Sequence, residues 1–175
     1  MSTTRSRIVA AAQQVIASDG WGAATTRRIA EAAEVKPGVV HYHVGNIDEL
    51  RREAVLGGVT AYFDELRRLS EEEDVGHQLA TMIRSIASTD ATSQEALLLY
   101  ASLSAAAHDN ALRDAINAQI AELRQVLTAH TDTGRAQLIA AALDGLIMQR
   151  AFGIDIDEDA LIPAVRRILD VSPAG

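Results

Sequence analysis

Residues 25–44 read TTRRIAEAAEVKPGVVHYHV, and their pattern is the clearest indication of how the chain folds. Ile29 and Ala33 are spaced i, i+4, so they share one face of a short helix that the hydroxyl of Thr25 can cap. Pro37 suits the first turn of a second helix, because the amide that proline lacks would have no helical partner there. Helices of about two turns are stable only when they dock on a neighbour. The stretch therefore predicts a helix-turn-helix, a motif whose second helix lies in the major groove of DNA.

The remaining sequence also favours helix. Apolar residues make up 48% of the 175 residues and aromatic residues only 3%, and no sustained alternating β pattern appears. We predict an all-α fold of about nine helices, in which the N-terminal three helices form a helix-turn-helix head. Besides the two helices of the opening stretch, helices are expected at about residues 4–18, 47–69, 75–88, 93–107, 110–129, 133–153 and 157–170.

Several residues mark the ends and the packing of these helices. Gly20 is expected to end the first helix and Asn46 to cap the fourth. Trp21 is expected to be a core aromatic residue of the head. The pair Gly57-Gly58 lies inside the fourth helix and indicates either a bend, which would provide a hinge, or close packing against a neighbouring helix.

The net charge of −8 is distributed unevenly. Residues 1–47 carry a net charge of +2 and residues 48–175 one of −10, which suits a protein that contacts DNA with one end only. The absence of cysteine excludes disulfides and thiolate metal sites. The N-terminus lacks the apolar core of a signal peptide, and the most apolar run, residues 136–148, is interrupted by Asp144 and too short to span a bilayer. A cytoplasmic protein with no membrane partner is expected.

From Arg7 to Leu50 the chain resembles the N-terminal domain of the tetracycline-repressor (TetR) family of regulators. The resemblance implies a ligand-responsive DNA-binding transcriptional repressor that binds a palindromic operator as a homodimer. It also implies a helix-turn-helix DNA-binding domain at residues 1–46 and a helical effector-binding and dimerisation domain at residues 47–175. The residues that carry the resemblance, through their spacing as a whole, are Ile8, Ala11, Ala12, Gly20, Trp21, Thr25, Thr26, Ile29, Ala30, Ala33, Val35, Gly38, Tyr42, His43, Val44 and Leu50.

Three positions depart from the pattern of the family. Glu34 stands where the turn commonly has glycine, and a left-handed backbone there would cost glutamate about 1–2 kcal/mol. Ile47 occupies the place where a lysine commonly holds a phosphate, so one charged anchor is missing. Val44 replaces a more frequent phenylalanine in the core. These departures affect the expected affinity for DNA more than the expected fold.

The second helix of the motif is predicted to turn Val40 and Val44 inward and its opposite face toward DNA. Val39 can contact a thymine methyl group, and Arg27 can reach guanine or a phosphate. Tyr42 and His43 resemble the pair that contacts phosphate in the family. The predicted DNA-binding residues are Thr26, Arg27, Lys36, Val39, His41, Tyr42, His43 and Asn46.

The C-terminal body is expected to bind a small, mainly apolar effector and to form the dimer. The helix at residues 133–153 is apolar nearly all round, so one side can face its own domain while another needs a partner. Its resemblance to the C-terminal half of TetR regulators implies pairing with its copy across a two-fold axis. The predicted dimer interface comprises Leu138, Ala142, Leu146, Val165 and Leu169, and the predicted ligand-binding residues are Phe63, Met82, Ile86, Tyr100, Leu103, His108, Leu123 and Met148.

No pattern in the sequence predicts an enzyme, a cofactor or a metal ion. His41 and His43 diverge on a helix because they are spaced i, i+2, and the other three histidines are far apart. The acidic stretch that begins at Asp155 has Ala160 and Arg166 where a calcium loop needs glycine and glutamate. No nucleophile motif or phosphate-binding glycine loop appears. Two alternatives stay open. The first is a helical small-molecule-binding protein with weak or lost DNA binding, and the second, which the missing catalytic residues disfavour, is an enzyme on a helical scaffold.

Overall fold

The computed structural model describes residues 3–70 and 74–170, except for the side chains of residues 61–63, 65–70 and 170. Within these ranges the chain is helical and contains no strand, so the predicted all-α fold of about nine helices is confirmed. The helices are α1 (Thr4–Asp19), α2 (Thr26–Ala32), α3 (Pro37–Val44), α4 (Ile47–Ser70), α5 (Val75–Ser88), α6 (Gln94–Ala106), α7 (Asn110–Thr128), α8 (Thr133–Ala151) and α9 (Glu158–Asp170), with a short 3₁₀ helix at Trp21–Ala23.

Side-chain caps and glycines set the helix ends near their predicted positions. Thr3 Oγ1 accepts a hydrogen bond from the amide of Ser6 at the start of α1, at 3.2 Å. Asn46 Oδ1 does the same for Asp48 at the start of α4, at 2.9 Å. Gly20 ends α1 with φ +88°, a left-handed value that glycine adopts without strain. The predicted helix limits therefore agree with the structure to within two residues.

The chain forms two compact units. The first comprises Met1–Ala61 and Thr92–Ile116, and the second comprises Tyr62–Ala91 and Asn117–Gly175. In the first unit α1 packs against α2, α3 and α6, and in the second α5 packs against α8 and α9. The domain boundary predicted after residue 46 rests on the resemblance to the TetR family and not on packing, and it stays a proposal.

The core of the first unit includes one apolar stripe of α1. Trp21 differs from its prediction, since it is only partly buried, whereas Ala24 three residues later is fully buried. The buried stripe consists of Ile8, Ala11, Ala12, Val15 and Ile16.

The glycine pair of α4 lies beside α1 and α6. A Cβ atom built at Gly58 would lie 3.4 Å from Leu98 Cβ on α6, and one at Gly57 would lie 3.1 Å from Gln13 Nε2 on α1. A Cβ atom at Gly58 would thus make an ordinary van der Waals contact, and one at Gly57 would need only a small shift at the end of the Gln13 side chain. Packing does not require either glycine, and both explanations of the pair stay open. Among the described residues, no helix has both the length and the apolar character needed to cross a membrane.

Candidate nucleic-acid interface

The helix-turn-helix is built from α2 and α3, both of which pack on α1. Thr25 caps α2, since its hydroxyl accepts a hydrogen bond from the amide of Arg28 at 3.3 Å. Pro37 occupies the first turn of α3, as predicted. Val40 is buried and Val44 half-buried, so the inward side of α3 is fixed on the head. The outward side of α3 remains available for a partner.

The turn between α2 and α3 has a left-handed residue, Glu34, with φ +55°. Two backbone hydrogen bonds close this turn. Val35 N–H donates to Ala30 O at 2.9 Å, and Glu34 N–H donates to Glu31 O at 3.1 Å. This pairing is the Schellman motif that ends many helices, in which glycine is the usual left-handed residue. Glutamate at this position carries a conformational cost, because its Cβ is crowded when φ is positive.

Replacing Glu34 with glycine is expected to stabilise the fold by about 1 kcal/mol, because glycine adopts the left-handed conformation without strain. For a chain of this size the melting temperature should rise by about 2–4 °C. Chemical and thermal denaturation measure both quantities. Glu31→Gly is the matched control, since the same replacement inside α2 should lower stability by about 1 kcal/mol. If the Glu34→Gly chain were no more stable than the parent, the left-handed backbone at Glu34 would not be strained.

The predicted DNA-binding residues all lie between Thr26 and Asn46, on α2, on α3 and in the turns that flank α3. Tyr42 is 84% exposed, which is unusual for so large an apolar ring. Its ring meets that of His43 edge to face, with centroids 5.2 Å apart. The others lie on α2, on α3 and in the turns that flank α3: Arg27, Lys36, His41 and Asn46 are exposed, and Thr26, Val39 and His43 are half-buried.

Two arginines of the head, Arg5 and Arg28, form ion pairs with other residues of the first unit. Arg5 binds Glu53 on α4 through two hydrogen bonds of 2.7 Å. These bonds and the charge of Glu53 raise the pKa of Arg5. Arg28 on α2 pairs with Asp19 at the end of α1. Both guanidinium groups are thus engaged within the first unit.

Two further arginines donate to backbone carbonyls at the two ends of α2. Arg7 Nη2 on α1 donates to Ala33 O at 2.8 Å, and Arg51 Nε on α4 donates to Ala24 O at 2.9 Å. Sequence reasoning missed these roles, because they depend on which helices meet in space. For Arg7 the sequence gives one signal: it directly precedes the buried Ile8 on α1, so its long side chain starts close to the packed face of that helix.

The predicted ligand-binding residues are divided between the two units. Tyr100, Leu103 and His108 belong to the first unit, where Leu103 is 44% exposed. Met82, Ile86 and Leu123 are buried in the second unit, and Met148 is 42% exposed there. The side chain of Phe63 lies outside the described residues. No single unit contains all of them, and no group of three or more His, Asp or Glu side chains suited to a metal occurs among the described residues.

The predicted dimer residues of α8 differ in their exposure to solvent. Leu138 is 57% exposed and Ala142 is also exposed, whereas Leu146 is 8% exposed and belongs to the core of its own unit. Helical spacing places Leu138, Ala142 and Phe152, the last 75% exposed, on the side of α8 away from the buried face. On α9, Val165 and Leu169 are half-buried.

Two family models together match most of the chain. Residues 8–54 match the model of bacterial regulatory proteins of the tetR family, and residues 70–171 match the model of the tetracyclin repressor-like C-terminal domain. No curated protein matches the chain.

Solved structures match over almost the whole chain. SCO1917, a member of the TetR family from Streptomyces coelicolor A3, is 26% identical with a TM-score of 0.83, over 97% of this chain and 100% of its own. The multidrug binding protein EbrR complexed with malachite green is 26% identical with a TM-score of 0.82, over 95% and 98%. The transcriptional regulator RHA1_ro04179 from Rhodococcus sp. Rha1 is 26% identical with a TM-score of 0.80, over 98% and 100%.

Two family models match the chain, its helices α2 and α3 form a helix-turn-helix that packs on α1, and solved structures match almost its whole length. These findings indicate the same family. The chain is a DNA-binding transcriptional regulator of the TetR family.

Proposed function

We propose that the protein is a ligand-responsive repressor that binds a palindromic operator as a homodimer and leaves it when a small, mainly apolar effector binds. The observation that carries the proposal is the exposed face of α3, where Tyr42 is 84% exposed beside His41. Because α3 is docked on the head through Val40, the ring and hydroxyl of Tyr42 are held on its outward face, where they are available to DNA. Because operator DNA lies in the cytoplasm, we place the protein there.

The chemistry of this face suits DNA. The major groove accepts an α-helix, and Val39 and His41 on α3 can contact base edges there. At the N-terminus of α2, Thr26 and the free backbone amides of the first turn can donate to a phosphate. Tyr42 can donate its hydroxyl to a second phosphate. Phosphate contacts of this kind fix the orientation of α3, and the base contacts then provide sequence specificity.

The homodimer is supported by the apolar surface of α8. Leu138 and Phe152 are 57% and 75% exposed, and between them Ala142 and Gly145 permit close approach of another helix. A two-fold axis through such a surface would bring the same residues of two chains together. It would also present two copies of α3, which matches the symmetry of a palindromic operator. Val165 and Leu169 on α9 extend the proposed interface.

The effector is proposed from the C-terminal body and from one relative. Met82, Ile86 and Leu123 give the second unit an apolar interior. Solved structures of the relative EbrR include complexes with malachite green, proflavin and ethidium. These three compounds are therefore the first effectors to test. Release of DNA requires that the effector and the operator prefer different conformations of the dimer.

The experiment that tests the proposal is selection of bound sequences from random DNA duplexes by the full-length protein at moderate salt. A recovered palindrome would support the dimeric DNA reader and supply the operator for titration with malachite green. A folded protein that recovers no motif, with or without these compounds, would favour a small-molecule-binding protein that has lost DNA binding.

The salt dependence of operator binding follows from the free cations of the head. Among the predicted DNA-binding residues, all of which the structure describes, the basic side chains Arg27 and Lys36 have no ion-pair partner. Two phosphates per subunit give about four per dimer, so the slope of log K against log salt should be about −4. Filter binding over a series of salt concentrations measures this slope.

The neighbouring arginines of α2 provide a matched pair for this test. Arg27→Gln should make the slope shallower by about two units, one for each subunit. Arg28→Gln removes the same charge from a side chain already paired with Asp19, so the slope should stay unchanged. Equal changes in both variants would show that the pairing of Arg28 does not persist on DNA.

A further inference from the structure

We propose that Arg7 is a positioning residue, which holds the turn between α2 and α3 in its left-handed form and thereby sets the orientation of the recognition helix α3. The inference rests on the proposed binding of operator DNA by α3. Arg7 would act without contacting DNA, although an arginine near the start of this motif is readily taken for a phosphate ligand.

The contact is well placed for this role. Arg7 Nη2 donates to Ala33 O at 2.8 Å, and Ala33 is the C-cap of α2 with only 6% exposure. A carbonyl at this end of a helix has no helical partner, so a buried one needs a donor from elsewhere. A cation here also interacts favourably with the negative end of the helix dipole. Charge-assisted hydrogen bonds of this kind are among the stronger ones in proteins.

The turn needs such support because Glu34 follows Ala33 directly with φ +55°. A glutamate prefers other backbone conformations, and any of them would break the hydrogen bonds that Glu34 and Val35 donate to Glu31 and Ala30. Arg7 fixes the position of the carbonyl that immediately precedes Glu34. Its hydrogen bond therefore favours the left-handed arrangement over the alternatives.

The turn borders an open cleft between α1 and the end of α2. A cavity of about 380 Å³ lies there, with Arg7, Glu34 and Gln94 among the residues that line it. Glu34 is exposed as well. In the part of the chain that the structure describes, Arg7 adds a side-chain hydrogen bond from α1 to the packing that holds the end of α2.

The turn determines where α3 lies. Only Glu34, Val35 and Lys36 separate the C-cap of α2 from Pro37, the first residue of α3. A change of backbone conformation at Glu34 would therefore redirect α3, whose Val40 is buried on the head. Operator binding requires two correctly oriented copies of α3, so a loosened turn lowers specific affinity while the head remains folded.

The test compares Arg7→Gln with Arg5→Gln, which removes the same charge from the same helix but breaks only the exposed pair with Glu53. Arg7→Gln should weaken operator binding by about tenfold or more, with the slope of log K against log salt unchanged. Arg5→Gln should change affinity by less than about twofold, as expected for a surface ion pair. Arg7→Lys, which keeps a donor and a charge, should recover part of the loss.

A second substitution distinguishes positioning from general stability. In a Glu34→Gly chain the left-handed turn is unstrained, so Arg7→Gln should lose much less affinity than it does with glutamate in place. A loss of the same size in both backgrounds would overturn the inference. So would a slope shallower by about two units in Arg7→Gln, since that result would mean direct phosphate contact.

Hydrogen exchange provides a measurement that does not involve DNA. The amides of Glu34 and Val35 should exchange about tenfold faster in Arg7→Gln than in the parent, while Arg5→Gln leaves them unchanged. Unchanged exchange in Arg7→Gln would overturn the role of Arg7. Failure of the parent chain to bind any operator would instead refute the proposed function, and the exchange rates would still decide the role of Arg7.

Discussion

Replacing Leu138 and Phe152 with glutamate should leave the chain monomeric and weaken operator binding by about 10²-fold or more. The two side chains are 57% and 75% exposed, so charges there do not disturb the core of the second unit. Across a two-fold axis the same substitutions would bring like charges together and place them in an apolar contact. A monomer would also lose the advantage of engaging two half-sites at once. Light scattering and operator titration measure the two effects.

Leu103→Glu is the matched control, because Leu103 is another exposed leucine, at 44%, on α6 of the first unit. It should leave the dimer intact. Leu146 is a poor choice for the same test, since it is 8% exposed and glutamate there would destabilise the monomer itself. A dimer that survives both substitutions at Leu138 and Phe152, with an unchanged circular dichroism spectrum, would move the interface away from α8.

Tyr42→Ala should weaken operator binding by about two orders of magnitude and leave the dimer unchanged. A hydrogen bond from the tyrosine hydroxyl to a phosphate contributes about 1.5 kcal/mol in each subunit, or about 3 kcal/mol for the dimer. At 1.4 kcal/mol for each factor of ten, this corresponds to a loss of roughly 150-fold. Because Tyr42 is 84% exposed, its removal should not lower the stability of the fold.

Tyr42→Phe separates the hydroxyl from the ring. If the phosphate bond dominates, the phenylalanine variant should lose nearly as much affinity as the alanine variant. If the ring packs on the DNA backbone, phenylalanine should recover most of the loss. Normal binding by Tyr42→Ala would show that the assigned face of α3 does not contact DNA.

The helices were predictable from the sequence because their ends are chemically marked. Thr3, Thr25, Asn46 and Pro37 fix helix starts through local hydrogen bonds or a local backbone restriction, none of which depends on distant parts of the chain. The exposed face of α3 was predictable for a similar reason. Once Val40 is assigned to the core, helical spacing places His41 and Tyr42 outside.

Contacts between distant residues could not be predicted in the same way. The pair Arg5 and Glu53 is 48 residues apart in sequence, and the pair Arg7 and Ala33 is 26 apart. Local pattern identifies Arg5 and Arg7 only as basic residues of a DNA-binding head. The burial of Leu146 also depends on packing, because α8 is apolar nearly all round and its sequence does not tell which side faces its own unit.

The place of α6 limits how the protein can be dissected. Residues 92–116 share a compact unit with residues 1–61, and α6 packs on α1. A recombinant fragment that stops at residue 46 would leave the surface of α1 that meets α6 open to water. Chimeric regulators joined at residue 46 would take α1 from one parent and α6 from the other, which mismatches that surface. Exchange of residues 1–61 together with 92–116 would transplant the DNA reader with its own support.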